Sequence, residues 1–154
     1  SVFGDNNIEY IKSSEKNILN ALKVSDIVVG AVYVVGKEAP RVVLKEMVNE
    51  MKPGTVMVDI SIDQGGCFET SKTTTHDDPT YLVNNVVHYC VANMPGSVPL
   101  TATEALNKAT LPYVLDIANK GLEDSLKEDD NLYNGLNLKN NEIVHKSVKE
   151  SFNL

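Results

Sequence analysis

The sequence lacks most of the features that assign a chain to a class at sight. No glycine-rich GxGxxG follows any strand candidate and there is no phosphate-binding P-loop, so a dinucleotide held by this chain would need its pyrophosphate cradle from elsewhere. The longest apolar run, residues 27–35, is interrupted by Gly30 and Tyr33 and falls far short of the ~20 residues a membrane helix needs. Residues 1–20 carry Asp5, Glu9, Lys12, Glu15 and Lys16 without a signal-peptide core. The two cysteines, Cys67 and Cys90, have no CxxC spacing, which argues against a disulfide scaffold and for a reducing, cytoplasmic setting. Basic residues are outnumbered 21 to 14 by acidic ones, and a net charge of -7 is the wrong sign for gripping phosphate backbones. Repeats and low-complexity tracts are also missing.

What is present is an ordinary globular composition, 42% hydrophobic and 23% charged over 154 residues. The chain starts at Ser1 without an initiator methionine, inside what reads as an element, and is expected to be a piece of something longer. IEYI at 8–11 reads as a short strand. Ser13 or Ser14 caps a helix to about Lys23, with Ile18, Leu19 and Leu22 on one face. Residues 26–35 (DIVVGAVYVV), 55–61 (TVMVDIS) and 86–92 (VVHYCVA) are β-branched and apolar on both faces, as buried parallel strands are. Between the first two, Pro40 starts a helix whose apolar stripe runs to Met51. Residues 65–85 form a polar, irregular excursion.

The character changes near Pro95-Gly96 and Pro99, where a boundary is expected, giving segments 1–97 and 98–154. Thr101 to Glu104 has capping-box spacing ahead of a helix ending at Gly121, which Pro112 should kink or split. An acidic helix to about Asp130, a hairpin turning at Lys139-Asn-Asn-Glu142 and a last helix over 146–152 complete the chain. The fold class is α/β: half of a Rossmann-type parallel sheet, then a mainly helical segment with a small hairpin.

In an open α/β sheet, ligands bind at the carboxyl ends of the strands. Two segments fall there, Ile62-Asp63-Gln64-Gly65-Gly66 and Asn93-Met94-Pro95-Gly96. Asp63 is either a turn-capping residue before a glycine pair or a working carboxylate beside the crevice. His76, His88 and His145 have no metal-ligand spacing; His88 reads as structural and His76 as solvated. No histidine or asparagine pairs with Cys67 in the sequence, so it reads as a plain thiol. Lys72 is a surface lysine or an anchor for an anionic group, and the acidic run 123–130 is a solvated helix face.

Several ordered strings go further than pattern. Residues 60–69 (ISIDQGGCFE), 73–76 (TTTH), 88–96 (HYCVANMPG), 30–36 (GAVYVVG), 51–54 (MKPG) and 109–113 (ATLPY) closely resemble alanine dehydrogenase, and the resemblance runs from about Ile8 to Leu154. It implies reversible oxidation of L-alanine by NAD to pyruvate and ammonia, in a cytoplasmic homohexamer. It also implies that segment 1–97 is the second half of the nucleotide domain and 98–154 the return into the substrate domain. The family's catalytic histidine, its substrate-binding lysine and arginine, and its glycine-rich loop have no counterpart in the chain.

Residue by residue, the resemblance makes Asp63 the catalytic aspartate, relaying protons around the carbinolamine stage while the cofactor takes the hydride. Ile60, Ser61, Ile62 and Asp63, with Val91, Ala92, Asn93 and Met94, match contacts to the nicotinamide half. Val32 and Tyr33 match the ribose side, and Ser13 the adenosine end. Lys72 stands where the family usually has an arginine, keeping the charge and losing the bidentate fork. No metal is implied. The competing readings are a nucleotide-binding subunit of a proton-translocating transhydrogenase and a non-catalytic, degenerate module.

Overall fold

The computed structural model describes residues 8–152. The expected segment ends at residues 1 and 154 lie outside that range. The chain divides into two compact units, Ser1–Tyr33 with Ala39–Ala92, and Val34–Glu38 with Asn93–Leu154.

The first unit opens with α1 (Glu15–Val24). Ser14 caps it, its hydroxyl accepting from the Asn17 N–H at 3.2 Å, and Glu15 and Lys23 sit at the ends that suit the helix dipole. Leu22 is buried, and Ile18 and Leu19 pack beside it on the core. The IEYI strand is not formed: Ile8, Tyr10 and Ile11 are exposed, and among the described residues no strand pairs with them.

Two residues link α1 to β1 (Ile27–Gly30), so the helix runs back antiparallel to the strand and its amino end points to the edge where the strand ends. With β2 (Val56–Asp59), β3 (Thr80–Val83) and β4 (Val86–Tyr89) it forms a four-stranded sheet in the order β1-β2-β4-β3. The β1–β2 and β2–β4 pairs are parallel. β3 is antiparallel to β4 and lies inside the stretch expected to be irregular. Its turn is Asn84-Asn85, with φ of 50° and 62°; the two-residue hairpin needs positive φ at both positions, and asparagine tolerates it.

β1 is shorter than the apolar run, because Val32 leaves the ladder to bond the Ser61 side chain. It also forms a sheet edge rather than the expected interior, with Ile27 and Val29 exposed. The helix expected from Pro40 shrinks to α2 (Lys45–Val48). Val42 and Val43 are taken instead by extended pairing with residues 67–69. Leu44 cannot cap α2, and the Glu69 carboxylate accepts from the Lys45 N–H at 2.7 Å in its place. The core gathers Leu22, Val43, Met47, Val48, Met57, Phe68 and Val86.

The second unit holds α3 (Pro99–Lys120), α4 (Leu122–Glu128), α5 (Asp130–Asn134), a hairpin of β5 (Leu138–Lys139) and β6 (Glu142–Ile143), and α6 (Lys146–Ser151). α3 starts at Pro99, a 3-10 turn over Met94–Ser97 leads into it, and Thr101 is already helical, so the capping box is not used. Pro112 does not split the helix; it removes one backbone donor, and the turns on either side persist. Gly121 ends α3 with φ 84°. Asn140-Asn141 turns the hairpin with φ of 51° and 65°.

Gly30 shows how tightly the sheet meets the loop beneath it. A Cβ there would lie 2.4 Å from Cys67 Sγ and 2.6 Å from Phe68 Cζ, both buried. Gly30→Ala is expected to cost about 1–3 kcal/mol by overpacking, read as a lower thermal midpoint. An unchanged midpoint would show that the Cys67–Phe68 segment yields freely.

Candidate functional site

β1, β2 and β4 run parallel, so their carboxyl ends share one edge of the sheet, and most of the sequence-predicted residues gather along it. β2 passes directly into a 3-10 helix, Ile60–Gln64. With three residues per turn, positions i and i+3 eclipse. Ile60 and Asp63 therefore share an exposed face, Ile60 being 52% exposed, while Ser61 and Ile62 are buried. The turn presents an apolar side chain and a carboxylate together.

Ser61 acts inward. Its hydroxyl accepts from the Val32 N–H and donates to the Val32 carbonyl, each at 2.8 Å. That pair of bonds rivets the exit of β1 to the exit of β2 and leaves Tyr33 exposed beside it. On the other flank, Thr74 pairs with Val91, its N–H donating to the Cys90 carbonyl at 2.9 Å and its carbonyl accepting from Ala92 at 3.1 Å. This lays the Lys72 segment along the exit of β4, with Lys72 exposed. Ser13 is exposed just ahead of the α1 cap. Asn93 and Met94 open the second unit; Asn93 holds a left-handed φ of 53°.

Three residues that sequence reasoning passed over, Asp59, Arg41 and Tyr81, hold this arrangement. Asp59, the last residue of β2, is 0% exposed. Its Oδ1 accepts from the Ser61 N–H at 3.0 Å and the Cys67 thiol at 3.4 Å. Its Oδ2 accepts from the N–H groups of Cys67 at 2.8 Å and Phe68 at 3.4 Å, and from the Ser71 hydroxyl. Arg41 holds the same loop from the other side, its Nη1 donating to the carbonyls of Gly65 at 2.5 Å and Gly66 at 2.6 Å. Tyr81 receives the Lys72 N–H at 2.7 Å and donates to the Thr70 carbonyl at 2.8 Å. The signal for Asp59 was in the sequence: an acid ending a strand apolar on both faces must be buried, and buried acids need donors.

Burial pushes the Cys67 thiol up to about 11, with the Asp59 charge adding to it, so Cys67 is a protonated donor rather than a nucleophile. Burial also raises the Tyr81 phenol, its bond to Cys90 contributing next. His88 is buried against Tyr81, ring centroids 5.1 Å apart. Burial lowers its imidazole below the ordinary range, against smaller opposing effects of the Val86 carbonyl and Asp59. The neutral ring fits its partners: Nδ1–H donates to the Val86 carbonyl at 3.1 Å and Nε2 accepts from the Thr70 hydroxyl at 2.8 Å. Among the described residues no cluster of His, Cys, Asp and Glu could hold a metal ion. No described helix is long and apolar enough to cross a membrane.

Comparison with known proteins gives a consistent picture. The family model described as "Alanine dehydrogenase/PNT, C-terminal domain" matches residues 1–146. An alanine dehydrogenase of Halomonas elongata is 52% identical over 134 residues, 87% of this chain and 36% of that protein. A solved L-alanine dehydrogenase superposes with a TM-score of 0.79 at 47% identity, over 99% of this chain and 42% of its own. A transhydrogenase from Sinorhizobium meliloti shares the fold at 23% identity, with a TM-score of 0.62 over 87% of this chain and 36% of its own. The chain thus spans roughly two fifths of the length of these proteins.

The neutral burial of His88 sets a pH dependence. Below about pH 6.5 the unfolded chain takes up a proton at this residue that the folded chain resists, so stability falls as pH drops from there toward the lowered folded value. Denaturant midpoints at about pH 7.5 and 5.5 should fall further in the parent than in His88→Gln. Equal falls would show that His88 protonates as easily folded as unfolded.

Proposed function

The chain belongs to the alanine dehydrogenase/PNT C-terminal-domain family, and from that premise we propose that it supplies the catalytic edge of an NAD-dependent alanine dehydrogenase. The observation that carries the reading is the 3-10 turn leaving β2, which displays Ile60 and Asp63 on one face at the carboxyl ends of the parallel strands.

The residues present fit one end of the cofactor. Ile60 offers apolar surface for a nicotinamide ring, the half-buried Val32 and the exposed Tyr33 would serve the ribose side, and Lys72 offers a cation. Ile62 and Val91 are buried, and Ala92, Asn93 and Met94 follow β4 in the chain. Ser61 contributes by fixing Val32 rather than by reaching out. Ser13, at the amino end of α1, would serve the adenosine end. No part of the chain reads as a pyrophosphate cradle.

NAD, when bound, accepts the hydride from the substrate carbon. The rest is proton work for which a carboxylate at the crevice is suited. L-Alanine, water and NAD become pyruvate, ammonia, NADH and a proton. Water adds to the imine carbon and the nitrogen must leave protonated. Asp63 takes a proton from the attacking water and returns one to the departing nitrogen. Segment 1–97 then belongs to the nucleotide domain and 98–154 to the substrate domain. The complete protein is a cytoplasmic homohexamer in this reading, and the isolated chain is inactive.

The test is NADH formation from L-alanine and NAD by the complete protein carrying this chain. Turnover is expected there, and Asp63→Asn should reduce it by roughly 10²-fold or more with a much smaller effect on the KM for NAD. Turnover unchanged by Asp63→Asn would reduce that residue to a turn. Calorimetric titration of the 154-residue chain with NAD is expected to show little or no binding; micromolar affinity would contradict the missing cradle.

A further inference from the structure

Proton transfer asks for a carboxylate held still, and Asp63 stands on a short turn at the protein surface. The inference rests on the reading of Asp63 given above. What fixes the turn lies beneath it. Asp59 is the N-cap of the 3-10 helix, and its side chain accepts the Ser61 N–H at 3.0 Å, the bond that starts the turn carrying Asp63. The same carboxylate reaches past the turn to the N–H groups of Cys67 and Phe68 and the hydroxyl of Ser71. One group thus ties both ends of the loop to the end of β2.

Arg41 closes the loop from the opposite side through the Gly65 and Gly66 carbonyls. Gly66 is squeezed between the two charges: a Cβ there would lie 2.8 Å from Asp59 Oδ2 and 3.0 Å from Arg41 Nη1. Its φ of 84° also suits glycine best. Among the described residues no ion pair reaches Asp59; three N–H groups, a hydroxyl and a thiol donate to it.

We propose that Asp59 is a positioning residue of the reaction: fully buried, it acts on turnover by fixing the geometry of the turn that presents Asp63. Asparagine there keeps size and shape but turns an amide donor toward groups that are all donors, so part of the clamp is lost. Because a displacement of about 1 Å at a reacting group can cost 10²-fold, a loosened clamp should appear in kcat before it appears in binding.

A double-mutant cycle in the complete protein tests this. Asp59→Asn is expected to lower kcat about tenfold or more, with the KM for NAD changed less than about threefold. In an Asp63→Asn background the same change should lower kcat less than about twofold, since a residue that acts through Asp63 has nothing left to position. Equal losses in both backgrounds, or a parental kcat in Asp59→Asn, would overturn the inference. Should Asp59→Asn fail to fold, Ser71→Ala decides, because it removes one donor and leaves the carboxylate in place. It is expected to lower kcat a few-fold in the parent and not in Asp63→Asn, and losses alike in both overturn the inference. If Asp63→Asn itself turns over like the parent, the functional reading fails, and this inference with it.

Discussion

A carboxylate with no access to water organises the first unit. Burying the Asp59 charge without partners would be costly, and five donors offset that cost: three backbone N–H groups, one hydroxyl and one thiol. Meeting those donors dictates the path of the chain. Residues 60–68 must leave β2, turn outward and return to the same two oxygens. The return brings Cys67 and Phe68 back into the core, where they press against Gly30 and allow no Cβ. Packing and site geometry therefore depend on the same atoms. A change that loosens the loop weakens the core, and one that overfills the core displaces the loop.

Around that loop the carboxyl edge of the sheet is assembled by contacts between segments distant in sequence. Ser61 joins two strand exits by occupying both polar groups of Val32. The β3–β4 hairpin holds the other flank, Tyr81 bridging the Lys72 N–H and the Thr70 carbonyl while His88 takes the Thr70 hydroxyl. Each device uses up backbone or side-chain groups that would otherwise compete for a ligand. Ile60, Asp63, Tyr33 and Lys72 are among the side chains that remain exposed there.

The broad architecture was legible because it is written in local pattern. The three β-branched runs gave the parallel strands, the stripe Ile18, Leu19 and Leu22 gave α1, and the Asn140-Asn141 turn gave the second-unit hairpin. Element ends were less legible because distant partners set them. Ser61, 29 positions away, takes Val32 out of the ladder so that β1 ends at Gly30, and Phe68 draws Val43 out of the helix expected from Pro40. β3 was missed although Val83-Asn-Asn-Val86 carries the same turn signal as Lys139-Asn-Asn-Glu142, because its polar surroundings hid four extended residues. Asp63 stood out through the glycines after it and the resemblance of its string. Asp59 did not: its place at the end of an apolar strand calls for donors, but which groups supply them, from Ser61 to Ser71, is set by the fold.

The central claim is that the turn leaving β2 faces the reacting groups. A crystal structure of the complete protein with NAD and pyruvate tests it most directly. The account predicts the Asp63 carboxylate within hydrogen-bond reach of the substrate, about 2.6–3.2 Å, with Ile60 against the nicotinamide ring. A nicotinamide bound away from the Ile60–Gln64 turn, with Asp63 facing solvent, would contradict it.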